Sequence, residues 1–217
     1  LVRESGRSIA CDPNKAYFST KLQAERLETL SLAKDLRQLL GRPLRVCDPF
    51  CGVGPALSTL LSEPGLVGEI LASDLNPDAV ELLMDNLRRW DGRSYPKEPG
   101  PISKVFDDRI IGVADATKLC ENPELTDRWD LLIVNLPHRT IEMLSSLAPL
   151  LNRKNISMVR GRVIAPESGI EEANHAIRTI LPDTPEGFPD PTLRIKSDYS
   201  SKLRLCSFHA WVAPMDE

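Results

Sequence analysis

The chain has 217 residues, 41% of them hydrophobic and 27% charged, with a formal net charge of −4. That mixture excludes a disordered chain, and the length suits one ordinary α/β domain with a full core. No apolar run approaches the roughly 18 residues of a membrane span. The opening LVRESGRSIACD has no signal-peptide core, and its first residue is Leu rather than Met, as in a fragment or a processed chain.

The predicted elements alternate short β-branched runs with helical patterns, the signature of βαβ units and a mostly parallel sheet. Residues 1–18 read as a short hairpin or arm, with turn signals at Gly6 and Asp12-Pro13-Asn14. A helix is expected from Lys21 to Leu40, opened by a capping box of Thr20 and Gln23 and buried along Leu27, Leu30, Ala33, Leu36 and Leu40. Strand 44–47 runs into the turn Asp48-Pro-Phe-Cys-Gly-Val-Gly-Pro55, then a helix to Leu61. Strand 68–73 ends at Asp74, after which Asn76 and Pro77 start a helix to about Trp90. Residues 91–107 hold three prolines and two glycines and read as a surface loop. Strands follow at 110–114 and 129–134, a helix at 140–151 and a strand at 156–164. A second capping box, Ser168 and Glu171, opens a helix to Leu181, and strands at 192–198 and 203–212 close the sheet as a hairpin. The expected architecture is a single α/β unit with a mostly parallel seven-stranded sheet. Residues 1–40 are its lead-in arm and helix, and 41–217 the main domain.

The five cysteines (Cys11, Cys47, Cys51, Cys120 and Cys206) are odd in number and form no CxxC. A disulfide framework or a metal site is therefore not expected, and a reducing cytoplasm fits them best. Charge is uneven. Residues 1–45 carry nine Lys/Arg against five Asp/Glu, residues 46–150 nine against seventeen, and residues 151–217 nine of each. A basic leading end on an acidic body permits contact with RNA there, through Arg3, Arg7, Lys15 and Lys21, with Lys196, Lys202 and Arg204 as further basic positions.

The chemistry concentrates at strand ends. The first strand ends in Asp48 and runs into Gly52-Val-Gly54 and a helix, where glycine admits a ligand close to the backbone. Asp74 ends the next strand 26 residues on, placed to accept both ribose hydroxyls of a nucleoside, and Asp115 ends the third, placed to meet an adenine amino group. The third glycine of a pyrophosphate loop is missing, since Pro55, Ala56 and Leu57 follow Gly54, so a phosphate-free cofactor such as S-adenosylmethionine is favoured. With that, the sequence resembles a class I methyltransferase with its Rossmann-like fold: Asp48–Pro55 is similar to the family's first motif, Ser73–Pro77 to its second, Val113–Asp115 to its third and Asn135-Leu-Pro137 to its fourth.

The fourth motif, Asn135-Leu136-Pro137-His138, resembles the turn of methyltransferases acting on nitrogen in a planar base. It lacks the stacking aromatic of the adenine enzymes, and it lacks the cysteine that methylation of cytosine C5 needs. Upstream, Ala16-Tyr-Phe-Ser-Thr-Lys-Leu-Gln-Ala-Glu25-Arg26 is similar to the stretch before the first motif in the archaeal and eukaryotic type of tRNA guanine-37 N1-methyltransferase and its wybutosine-pathway relatives. That resemblance implies Glu25 as general base, Asn135 and Pro137 as the base-pocket turn, and Tyr17, Phe50, Asp74, Leu75, Asp115 and again Asn135 as cofactor contacts beside Asp48, Gly52 and Gly54. It implies a tRNA substrate modified at N1 of guanosine 37. Aminocarboxypropyl transfer, N2-guanine or N6-adenine methylation, and a non-catalytic RNA-binding subunit of the same fold stay open as alternatives. Two departures stand out: Lys21 replaces the family's arginine and loses its planar fork, and with 16 residues before Tyr17 the family's separate tRNA-recognition domain is expected to be missing from this chain.

Overall fold

The computed structural model describes residues 1–215, which divide into two compact units, Leu1–Ala116 and a second that begins at Thr117. The first unit opens with an antiparallel hairpin, β1 (Val2–Glu4) and β2 (Arg7–Ile9), turned at Ser5-Gly6 where both residues have positive φ. A 3₁₀ turn over Thr20–Leu22 leads into α1 (Gln23–Leu40), which Gly41 ends in the left-handed conformation, donating its N–H to the Arg37 carbonyl. Two expectations fail here. The Thr20/Gln23 capping box does not form, because the 3₁₀ turn takes up the helix start and Leu22 becomes its flanking residue. The buried face is also rotated: Glu25, Arg26, Thr29, Ala33 and Leu36 are buried, whereas Leu27 is exposed. The first turn of α1 therefore buries charge, which hydrophobic periodicity cannot anticipate.

The sheet of this unit runs β5 (Ser103–Phe106), β6 (Arg109–Val113), β4 (Val67–Asp74), β3 (Leu44–Asp48). Strands β3, β4 and β6 are mutually parallel, and β5 is an antiparallel edge. Helices α2 (Pro55–Leu61) and α3 (Pro77–Asp91) follow β3 and β4. The α3 start is as expected: the Asp78 amide donates to Asn76 Oδ1 at 3.0 Å, and Pro77 occupies the first helical position. Strand β5 corrects the reading of 91–107 as loop, raising the strand number above seven. Its residues are half-buried or exposed, so they carry no alternation for a pattern to catch, and Gly112 of β6 lets the chain before it in: a Cβ there would lie 2.5 Å from the Ile102 backbone.

The second unit holds β7 (Leu131–Val134) parallel to β8 (Ser157–Pro166), then β10 (Leu203–Val212) antiparallel to β8, and β9 (Arg194–Asp198) antiparallel to β10. The C-terminal hairpin is thus as read from the sequence. Helices α4 (Thr140–Leu147) and α5 (Ile170–Ile180) pack in the same unit. The Ser168/Glu171 box does not form, because a 3₁₀ turn over Glu167–Gly169 precedes α5 and Gly169 flanks it. The core is apolar, with Trp129, Leu131, Leu132, Val134, Met158, Val159 and Phe208 all buried. Among the described residues no helix is long and apolar enough to cross a membrane.

Candidate functional site

Parallel pairing decides where the acids of the first unit go. Because β4 pairs with β3 on one side and β6 on the other, Asp48 and Asp74 end adjacent strands and Asp115 follows the third by two residues. All three stand at the carboxyl end of the parallel strands, the end where α/β sheets bind ligands. The glycine loop after β3 is fastened to that rim. The Cys51 amide donates to the Ser73 carbonyl at 3.0 Å, and the Gly52 amide donates to Asp74 Oδ2 at 2.9 Å. The other carboxylate oxygen of Asp74 accepts from the Asn76 amide at 2.9 Å. Each carboxylate oxygen has a second lone pair, so Asp74, half-buried and fixed, keeps capacity for two hydroxyl donors.

Gly52 and Gly54 both have positive φ, at 53° and 83°. At Gly54 a Cβ would lie 2.5 Å from Leu83 Cδ1, so α3 packs where a side chain would stand. Around the loop the exposed large apolar side chains include Tyr17, 81% exposed, and Leu75, 72% exposed, the latter directly after Asp74. Phe50 is half-buried in the loop itself, Asp48 is buried and Asp115 is exposed. A fixed carboxylate, a side-chain-free loop and uncovered apolar side chains fit an adenosine, whose ribose wants acceptors and whose base wants an apolar face. Cys51 is no thiolate in this setting: burial first, then the Asp48 and Asp74 carboxylates, push its thiol well up.

The arm before α1 is held to the same unit by buried polar bonds. Asn86 of α3 exchanges both bonds with the Ala10 backbone, at 2.7 and 2.9 Å, and donates to the Val53 carbonyl at 2.9 Å. Arg26 grips Glu4 through both carboxylate oxygens, with Nη2 to Oε2 at 2.6 Å, and donates to the Ser19 carbonyl at 3.0 Å. Both partners are about 4% exposed, so this is a desolvated pair in bidentate geometry. It anchors the first turn of α1, where Glu25 is 7% exposed. Of the basic residues singled out above, Arg7 is turned inward, donating to the Trp90 and Leu61 carbonyls, and burial lowers its pKa. Lys15 is ion-paired with Asp78 and Glu81 at 3.3 and 3.5 Å. Arg3 and Lys21 are exposed.

In the second unit, Asn135 and Pro137 form the half-buried turn after β7. Leu136 accepts from the Arg139 amide at 2.8 Å and from Thr140 Oγ1 at 3.0 Å. The Pro137 carbonyl accepts from the Ile164 amide at 2.9 Å, and Arg162 Nη1 donates to Asn135 Oδ1 at 2.8 Å. His138 is exposed and meets the Tyr199 hydroxyl at 3.0 Å through Nε2. Sequence reading missed Glu4, Asn86, Arg162 and Tyr199. The first three act across strand and helix separations that leave no local spacing, and Tyr199 sits in a hairpin tip whose partner lies 61 positions away.

A strand-end carboxylate rim over a glycine loop is the arrangement of the Rossmann-like fold found in class I methyltransferases. The solved structure of Methanocaldococcus jannaschii TYW2 in complex with AdoMet superposes on 98% of this chain and 85% of its own with a TM-score of 0.70, at 17% identity. More narrowly, residues 1–92 match the TRM5/TYW2 methyltransferase domain, the family that the sequence resembles. A Paramecium tetraurelia protein curated as tRNA (guanine(37)-N(1))-methyltransferase is 32% identical over 87 residues, which is 40% of this chain and 20% of that one. The Pyrococcus abyssi Trm5b, curated with the same activity, is 27% identical over 152 residues, 70% of this chain and 37% of its own. The chain therefore spans about a fifth to about a third of the length of these curated relatives.

Proposed function

We propose that this chain is the catalytic part of an S-adenosylmethionine-dependent tRNA methyltransferase that acts in the cytoplasm on N1 of guanosine 37. The observation that carries the reading is the rim of Asp48, Asp74 and Asp115 with its tethered glycine loop. The match of residues 1–92 and the activity of the curated relatives support the choice of substrate. Asp74 would accept the ribose hydroxyls, Asp115 the adenine amino group, and Tyr17, Phe50 and Leu75 would cover the base, with Asp48, Gly52 and Gly54 forming the floor. When bound, the cofactor supplies an electrophilic methyl group whose C–S electron pair stays on sulfur.

The remaining chemistry belongs to the protein. Guanine N1 carries a proton and becomes nucleophilic when it loses it. Glu25, shielded from water on the first turn of α1, would accept that proton. Asn135 and Pro137 would hold the base by its edge, and the target nucleotide would have to leave its stack, at least expense in a single-stranded loop. Arg3 and Lys21, and the basic strand β9 with Lys202, would meet phosphates. The likeness to TYW2 keeps one second reading: transfer of the cofactor's aminocarboxypropyl group to a tRNA base.

The test is incubation of the full-length protein with methyl-labelled cofactor and unmodified tRNA, followed by nucleoside analysis and mass spectrometry. The expected product is 1-methylguanosine. Glu25→Gln is expected to lower the transfer rate by about 10²–10⁴-fold while cofactor affinity is kept. Full activity in that variant removes Glu25 from the mechanism, and an aminocarboxypropyl adduct establishes the second reading.

A further inference from the structure

We infer that Arg162 is a positioning residue that fixes which hydrogen-bonding face Asn135 shows to a substrate base, and that this face is a donor. The inference rests on the proposed action at the Asn135–Pro137 turn. Its physical basis is the register of two strands. Parallel pairing aligns Val134 of β7 with Gly161 of β8, so the next residues, Asn135 and Arg162, come level just where β7 stops and the turn begins. The Ile164 amide, bonded to the Pro137 carbonyl, carries the match two residues further. Gly161 is kept bare by the Phe208 ring, to which a Cβ would come within 2.4 Å, so the register at this level is set by packing.

A guanidinium has five donors and no acceptor. The atom of Asn135 that faces Arg162 Nη1 at 2.8 Å must therefore be its oxygen, and rotation of the amide by half a turn would set NH₂ against a cation. With Oδ1 turned to Arg162, the amide is held with its Nδ2 donor on the opposite side. A donor suits a carbonyl beside the reacting ring nitrogen, as O6 stands beside N1 in guanine. The arrangement also follows the charge. As N1 gives its proton to the carboxylate base, negative charge spreads onto O6. The new N–C bond then draws on the N1 pair as the C–S pair moves to sulfur. A donor aimed at O6 and polarised by the cation behind it holds that transient charge better than the starting carbonyl.

The test uses full-length protein, methyl-labelled cofactor and two tRNA transcripts, one with guanosine and one with 6-thioguanosine at the target position. Arg162→Met is expected to lower kcat on guanosine by about ten- to a hundredfold with the cofactor KM unchanged. Arg162→Lys restores part of the rate, and the loss is smaller on 6-thioguanosine, whose sulfur is a poorer acceptor. Asn135→Asp leaves Arg162 a partner, so the turn keeps its shape, but it replaces the donor by an acceptor and is expected to lose at least as much. Thermal melting checks folding, and if Arg162→Met does not fold, Asn135→Asp decides. Full kcat on guanosine in the folded variants overturns the inference and leaves the proposed function standing. Methylation at an exocyclic amine, or no methylated guanosine from the unaltered protein, overturns both.

Discussion

The two units hold their candidate site turns by different means. In the first, the glycine loop and the arm before α1 are tied down by buried and half-buried polar groups: Asp74 to two amides, Asn86 to Ala10 and Val53, and Arg26 to Glu4 and Ser19. In the second, the Asn135–Pro137 turn continues a strand ladder over an apolar core, and one polar side chain, Arg162, sets its amide. Polar fastening positions loops that have no ladder of their own, at a desolvation cost that only complete pairing offsets. A ladder positions a turn through register, which depends on how large side chains fit between strands. Polar substitutions should therefore disturb the first unit most, and changes of volume the second.

The largest expected effect lies at the buried ion pair. Arg26→Met leaves Glu4 as an uncompensated charge at 4% exposure and is expected to cost about 3–5 kcal/mol in chemical unfolding. The double variant Glu4→Gln/Arg26→Met should recover part of that loss. If Arg26→Met unfolds like the unaltered protein, the pair does not fasten the arm. Next comes the packing test of the ladder: Gly161→Ala drives a Cβ into the Phe208 ring and is expected to cost about 1–3 kcal/mol. Hydrogen exchange should show the loss of protection in β8 and β10. Loss of protection confined to the first unit would contradict the comparison.

The smallest effect is expected at an exposed pair. Asp108 accepts from Arg93 and Arg109, and the Arg93 hydrogen bond foremost holds its carboxyl below the ordinary carboxylate range, against a partial opposing effect of burial. A depressed folded value means that the stabilisation is present above the unfolded carboxylate pKa and is lost as pH falls through the folded one. At about a third exposure the pair is screened, so Asp108→Asn should cost no more than about 1 kcal/mol at neutral pH. The difference in melting temperature should shrink as the solution is acidified; a difference that grows in acid would reverse the assignment.

What the sequence disclosed follows the same division. Strand ends are legible because a β-branched run stops where an acid or a glycine begins, and so Asp48, Asp74 and Asp115 could be placed at one rim before any coordinates. The Asn76-Pro77 helix start was legible because capping is a matter of neighbours. The two capping boxes misled because 3₁₀ turns displaced the helix starts, a choice made by packing. The buried Arg26 of α1 contradicted its apolar stripe because its partners, Glu4 and the Ser19 carbonyl, come from the arm. Strand β5 escaped because an edge strand with solvent on it need not alternate. Arg162 escaped because its link to Asn135 exists through strand register over 27 positions, and no local pattern encodes a register.

The claim on which the rest depends is that the carboxylate rim of the first unit holds a nucleoside. Calorimetric titration of the full-length protein with S-adenosylmethionine tests it most directly. The account predicts saturable binding at one site, abolished in Asp74→Ala and weakened in Asp115→Asn, with both variants folded. No heat of binding, or binding that Asp74→Ala leaves intact, would contradict it.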